Sequence, residues 1–103
     1  MIDDDQGPSS DLVRLRHSID NLDAAVVHLL AERFRCTDAI GNLKARKGLA
    51  SRDPGREAAQ LTRLRTLAAQ SGLDPEFTKK LHALIVREVI ANHEVMKRRS
   101  RTS

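Results

Sequence analysis

Three basic side chains fall where an amphipathic helix should be dry. Leu12, Leu15, Ile19, Leu22, Val26 and Leu29 recur three and four apart, the spacing of one helix face. The next positions in that rhythm are Arg33, Cys36, Ile40 and Leu43, so an arginine occupies the stripe that would form a core. Lys44 follows Arg33 by eleven residues, three turns on and nearly the same face, and Arg16 precedes it by seventeen. An interior guanidinium is costly unless a fixed anion meets it, because desolvating an unpaired charge takes several kcal/mol. Glu32, Asp20 or a partner's acids could form ion pairs, which is the purely structural account. Alternatively, several bases beside few acids would hold a small molecule bearing carboxylates, which arginine's planar fork grips bidentately.

The rest of the composition limits what can carry these residues. At 103 residues and 11.5 kDa the chain is at most one domain, small enough to gain by pairing with a second copy. Two Phe and no Trp or Tyr leave Leu, Ile, Val and Ala to build the core, which favours packed helices over a sandwich or an aromatic-rich barrel. One Cys cannot form an intrachain disulfide, and metal-type cysteine spacing is absent, so neither a metal nor a disulfide framework is expected. With no basic-then-apolar leader and no membrane-length apolar run, a cytoplasmic, non-membrane protein is expected. The net charge of +4 is mostly local. Lys97, Arg98, Arg99 and Arg101 crowd the final "MKRRSRTS", while "IDDD" near the start is acidic. No aromatic stacking platform accompanies that tail, which argues against nucleic acid as a partner.

Three elements must then position the bases. Residues 1–10 are polar and contain Gly7-Pro8, which reads as a disordered lead-in ending at a Ser9 or Ser10 cap, with Asp11 favoured in the first turn. The first helix runs to about Arg46, roughly 36 residues or about 54 Å. Short segments of the same chain cannot cover it, so a second copy should pack along it. Gly41 costs about 1 kcal/mol inside a helix, either as a tolerated defect or to admit another helix or a ligand. "KGLASRDPGRE" breaks the pattern. Asp53-Pro54 opens a second helix over 54–70 with Leu61, Leu64, Leu67, Ala58 and Ala68, closed by Gly72. Asp74-Pro75 opens a third, reaching about Arg98, whose apolar side is Phe77, Leu81, Leu84, Ile85, Val89 and Val95. The expected fold is all-α, with one long helix and two shorter ones per chain paired as a homodimer. The helical domain spans 11–98, and 99–103 form a basic tail.

At this point the residues carry a resemblance. "LVRLRHSIDNLDAAVVHLLAERFRCTDAIGNLKA" is similar to the first helix of the AroQ-class chorismate mutases, whose pattern is L-R-x-x-I-D-x-L-D, an arginine after a Leu-Leu pair, then I-G-x-x-K. "RDPGRE" resembles the D-x-x-R-E segment heading the family's second helix, and the likeness covers about residues 12–96. It implies two interlocked three-helix chains whose pockets are each lined mainly by one chain, with an arginine donated by the partner. Arg16 matches the donated arginine. Arg33 and Arg56 match the residues that bind two substrate carboxylates, and Lys44 the lysine reaching a carboxylate and the ether oxygen. Asp53 and Glu57 match the acids near the ring hydroxyl. Asp20 and Asp23 are read instead as first-helix ion pairing that fixes the dimer.

The implied reaction is chorismate to prephenate, a step of aromatic amino-acid biosynthesis. It is an intramolecular rearrangement that calls for no cofactor, metal or nucleophile. A pocket must hold the flexible diacid in its compact shape and stabilise charge developing on the ether oxygen. Arg33, Lys44 and His93 are the catalytic candidates. The sequence departs from the family on the third helix, where His93 stands at the position of a glutamine or glutamate donor and Val89 at a frequently small polar site. A histidine near a helix end could equally be a surface or capping residue. Isochorismate pyruvate lyases and 4-amino-4-deoxychorismate mutases share the carboxylate clamp and remain alternatives, as does a non-catalytic helical dimer or regulatory binding protein.

Overall fold

The computed structural model describes residues 8–50 and 52–102. Most of the expected lead-in, residues 1–7, therefore lies outside the described residues. Three helices follow in order, α1 over Pro8–Lys47, α2 over Pro54–Ser71 and α3 over Pro75–Thr102. Each opens on a proline, whose fixed φ suits a first helical position where no N–H is needed. On α1 this moves the start ahead of the expected serine cap, so Ser9 and Ser10 lie inside the helix. Asp11 in its first turn pairs with Arg14, while Lys44, Arg46 and Lys47 occupy its last turn, each charge placed to suit the helix dipole.

The joints are built from backbone devices readable in the sequence. Past α1, Gly48 has φ of 66° and the Leu49 N–H reaches the Lys44 carbonyl at 2.9 Å. The Asp53 carboxylate caps α2 by accepting the Arg56 N–H at 3.1 Å. Gly72 closes α2 in the left-handed region with φ of 80°, and the Leu73 N–H reaches the Ala68 carbonyl at 2.8 Å. Asp74 then accepts the Glu76 N–H at 2.9 Å as α3 begins. At the other end α3 continues to Thr102, so the residues read as a basic tail from 99 are mostly helical. Lysine and arginine are good helix formers, and their charge is favoured near a helix C-terminus.

The chain divides into two units, one up to Arg35 and one from Cys36 onward. In the second unit α2 and α3 pack together. Arg65 bridges to Glu76 at 3.1 Å and His82 Nε2 donates to Gln60 Oε1 at 3.4 Å, cross-links whose opposite order along the two helices makes an antiparallel hairpin. The inward face of α3 is not the one its apolar residues predict. Thr78, His82 and His93 are buried and Ile85 and Val89 half-buried, whereas Phe77, Leu81, Leu84 and Val95 are exposed. Among the described residues the only buried hydrophobic one is Ala68. In the first unit the whole stripe of Leu12, Leu15, Ile19, Leu22, Val26 and Leu29 is exposed, Leu29 at 69%. No helix among the described residues is long and apolar enough to cross a membrane.

The turn after α2 gives a direct test of these backbone assignments. A Cβ added at Gly72 would meet nothing within 4 Å, so Gly72→Ala should act through backbone strain alone. Holding an alanine in the left-handed region should cost about 1–2 kcal/mol and lower the thermal midpoint by several degrees in a calorimetric scan.

Candidate active site

The His93 side chain links α3 to the end of α1. It is buried at 8% exposure, and its Nε2 donates to the Thr37 backbone carbonyl at 3.0 Å. The ring reaches that carbonyl only because residue 41 is glycine. A Cβ at Gly41 would lie 2.5 Å from His93 Nε2, 2.7 Å from Cδ2 and 3.1 Å from Cε1, well inside contact distance. Of the two accounts of Gly41 left open by the sequence, a tolerated defect or a close approach, the structure shows an approach, made by a side chain of another helix, the His93 ring. The ring edge facing α1 is Cδ2–Nε2–Cε1, which leaves Nδ1 on the opposite side.

His93 also borders a cleft of about 820 Å³ formed with the last turns of α1 and the stretch that follows, where Lys44, Arg46 and Lys97 supply cationic groups. Lys97 is partly offset by Glu94, 3.6 Å away on the same helix. Excess positive charge lining a groove favours an anionic ligand, carboxylates included. Of the positions singled out by sequence, this cleft brings together Lys44, His93 and the glycine that admits the ring. Arg46 and Lys97 were not among the expected site residues. Lys97 had a local signal, since it stands one helical turn beyond His93 on the same face.

The remaining candidates sit elsewhere. Val89 is half-buried one turn before His93 and does not border the cleft. Arg56 is exposed, and Asp53 is occupied in capping α2. Glu57 accepts from Arg52 at 2.7 Å, a hydrogen bond and charge contact that raise the arginine's pKa above its ordinary value. Glu57 also borders a second, more apolar hollow of about 500 Å³ between α2 and α3, with Leu61, His82, Arg87 and Ile90. In the first unit, Arg16 is exposed and Arg33 half-buried, with one terminal guanidinium nitrogen wholly shielded from solvent. Glu32 pairs with Arg35 at 2.6 Å. Asp20 and Asp23 are exposed. Among the described residues no three His, Cys, Asp or Glu side chains are grouped to share a metal ion.

A match to the family described as chorismate mutase type II covers residues 15–94. The chain belongs to the type II chorismate mutases, the all-helical AroQ class. All eight candidate positions, from Arg16 to His93, fall within the chorismate mutase match. Individual relatives differ in how much of themselves they share with it. The chain is 34% identical over 79 residues to the T-protein of Enterobacter agglomerans, covering 77% of the chain but 21% of that protein. It is 33% identical over 86 residues to a bifunctional chorismate mutase/prephenate dehydratase of Buchnera aphidicola, covering 84% of the chain and 22% of the relative. Thus it spans about a fifth of those two proteins. A 4-amino-4-deoxychorismate mutase of Streptomyces venezuelae is 32% identical over 95 residues, 91% of this chain and 92% of the relative.

The Gly41–His93 contact predicts a coupled pair of substitutions. Gly41→Ala should destabilise by about 1–3 kcal/mol through the displaced ring, despite alanine's better helix propensity. In a His93→Ala background the same change should be neutral or stabilising by up to about 1 kcal/mol. Denaturant unfolding of the four proteins measures the coupling, and additive effects would deny the packing.

Proposed function

We propose that the chain is a chorismate mutase that converts chorismate to prephenate as a homodimer, with Arg16 of each copy donated to the other's pocket. The observation that carries this reading is the family match over residues 15–94, joined to a cationic cleft where Lys44 and His93 meet. The clamp is Arg33 and Arg56 on the two carboxylates, with Asp53 and Glu57 toward the ring substituent and Val89 against the bound ring. Lys44 and His93 face the ether oxygen, where negative charge grows as the bond breaks. Positive charge and hydrogen-bond donors there stabilise the transition state more than the ground state, and the clamp supplies orientation.

Pairing is supported by the exposed apolar stripe of α1 and by the shortage of buried hydrophobic side chains in a single chain. Arg16 and Lys44 stand 28 positions apart in sequence, about 42 Å at about 1.5 Å per helical residue, too far for one chain to bring both to a small diacid. A second substrate reading has its own support. The Streptomyces venezuelae relative matches over nearly the full length of both chains, and its name specifies the 4-amino substrate. A carboxylate such as Glu57 can accept from either a ring hydroxyl or a ring ammonium.

A panel of chorismate, isochorismate and 4-amino-4-deoxychorismate, with product identification, decides among these. Prephenate should form with the highest kcat/KM. Preferential turnover of the amino substrate would transfer the assignment to the second reading, and inactivity on all three would leave a binding protein. Arg33→Ala and Arg56→Ala should each lower kcat/KM by about a hundredfold or more while leaving the thermal midpoint nearly unchanged. Mixing Arg16→Ala with Arg33→Ala chains should partly restore turnover, because one pocket of each mixed dimer regains both arginines. Sedimentation showing an active monomer would remove the shared-pocket arrangement.

A further inference from the structure

We propose that the Thr37 carbonyl fixes His93 as its Nε2–H tautomer, so that the ring meets a bound ligand only through Nδ1 and donates there only after taking up a proton. The role toward ligand rests on the mutase reading above; the tautomer does not.

A backbone carbonyl can only accept, so the 3.0 Å contact commits Nε2 to carrying a hydrogen. In a neutral imidazole the other nitrogen is then bare, an acceptor. A half-turn of the ring would put Cε1 where Nε2 now stands and forfeit the bond to the Thr37 carbonyl, so the hydrogen bond holds the ring in this orientation. Glutamine or glutamic acid at this position could turn a donor toward an ether oxygen without changing charge. This histidine cannot, because its sole hydrogen is already in use.

Charge decides when the second proton arrives. Around the ring, α1 and the stretch after it contribute Lys44 and Arg46, and α3 contributes Lys97 with its partner Glu94. Asp38 follows Thr37 on α1, with a buried Oδ1 that accepts no hydrogen bond among the described residues. The cleft that the ring borders is thus lined by three cations, one of them paired with an acid. A bound dicarboxylate contributes two negative charges and an acceptor oxygen, which together favour the imidazolium. Ligand binding and proton uptake are thereby linked.

Two measurements on the whole protein test this. In the ligand-free wild type, imidazole ¹⁵N and ¹³C shifts, with the ring assigned through its contact to Gly41, should report the Nε2–H tautomer above the imidazole titration. A predominant Nδ1–H tautomer would overturn the proposal. Calorimetric titration with an oxabicyclic dicarboxylic acid that mimics the transition state, in buffers of differing ionisation enthalpy at pH 8, should show uptake approaching about one proton. His93→Gln should bind without that uptake, and its kcat/KM should stay flat between pH 6 and 8, where the wild type's falls as pH rises. Wild-type binding with no proton uptake, or equal uptake by His93→Gln, would refute the gated donor. Absence of any binding by the diacid would instead remove the mutase reading, and the tautomer measurement would still decide the Thr37 anchor.

Discussion

Among the described residues an alanine is the only buried hydrophobic one, which leaves them almost no interior of their own. Most other features answer to that shortage. The long helix α1 displays leucine, isoleucine and valine to solvent, and α3 turns a phenylalanine and two leucines outward while drawing two histidines and a threonine inward. Burial of apolar area is the dominant favourable term in folding, so surfaces of this kind have their main stabilisation still to gain from association. What holds the α2–α3 hairpin meanwhile is a mixture of half-buried aliphatic contacts and side-chain links, with His82 on Gln60 and Arg65 on Glu76.

The same shortage shapes the candidate site. A buried polar group needs a partner, and His93 finds one in the backbone of a different helix rather than in a neighbouring side chain. Backbone carbonyls do not change rotamer, so the ring is more firmly oriented than a surface histidine would be. Around it stand lysine and arginine side chains on long flexible stems. The cleft therefore combines one rigid, hydrogen-bonded ring with mobile positive charge, a pairing suited to ordering a small anion about a fixed point.

How legible this was depended on the range of the interaction involved. The starts of α2 and α3 follow from Asp53-Pro54 and Asp74-Pro75 because capping acts within one turn of chain, and Gly72 marks its own left-handed stop. The extension of α3 beyond Arg98 was obscured because a cluster of basic residues reads by charge as a solvated tail, although the same residues favour helix. Burial of Thr78 and His82 in place of Phe77 and Leu81 was hidden for a different reason. It depends on what α2 presents, and Gln60 stands 22 residues away from His82. Within the site, Lys44 and His93 were recognisable by spacing and resemblance. That they meet at one cleft, with Arg46 and Lys97 beside them, required the packing of α3 on the end of α1. Gly41 announced a close approach without saying whose.

The fit between positions 41 and 93 also makes history run one way. A lineage that first enlarged residue 41 would drive a methyl group into an imidazole with nowhere to go, and the intermediate would be selected against before any second change could relieve it. A lineage that first shortened residue 93 would leave a small void, a milder defect, and the glycine could afterwards become an alanine and recover helix stability. The accessible route between the two states therefore passes through the loss of the ring. Descendants holding alanine at 41 would have surrendered the histidine before they acquired it, and regaining the ring would require the glycine to return first.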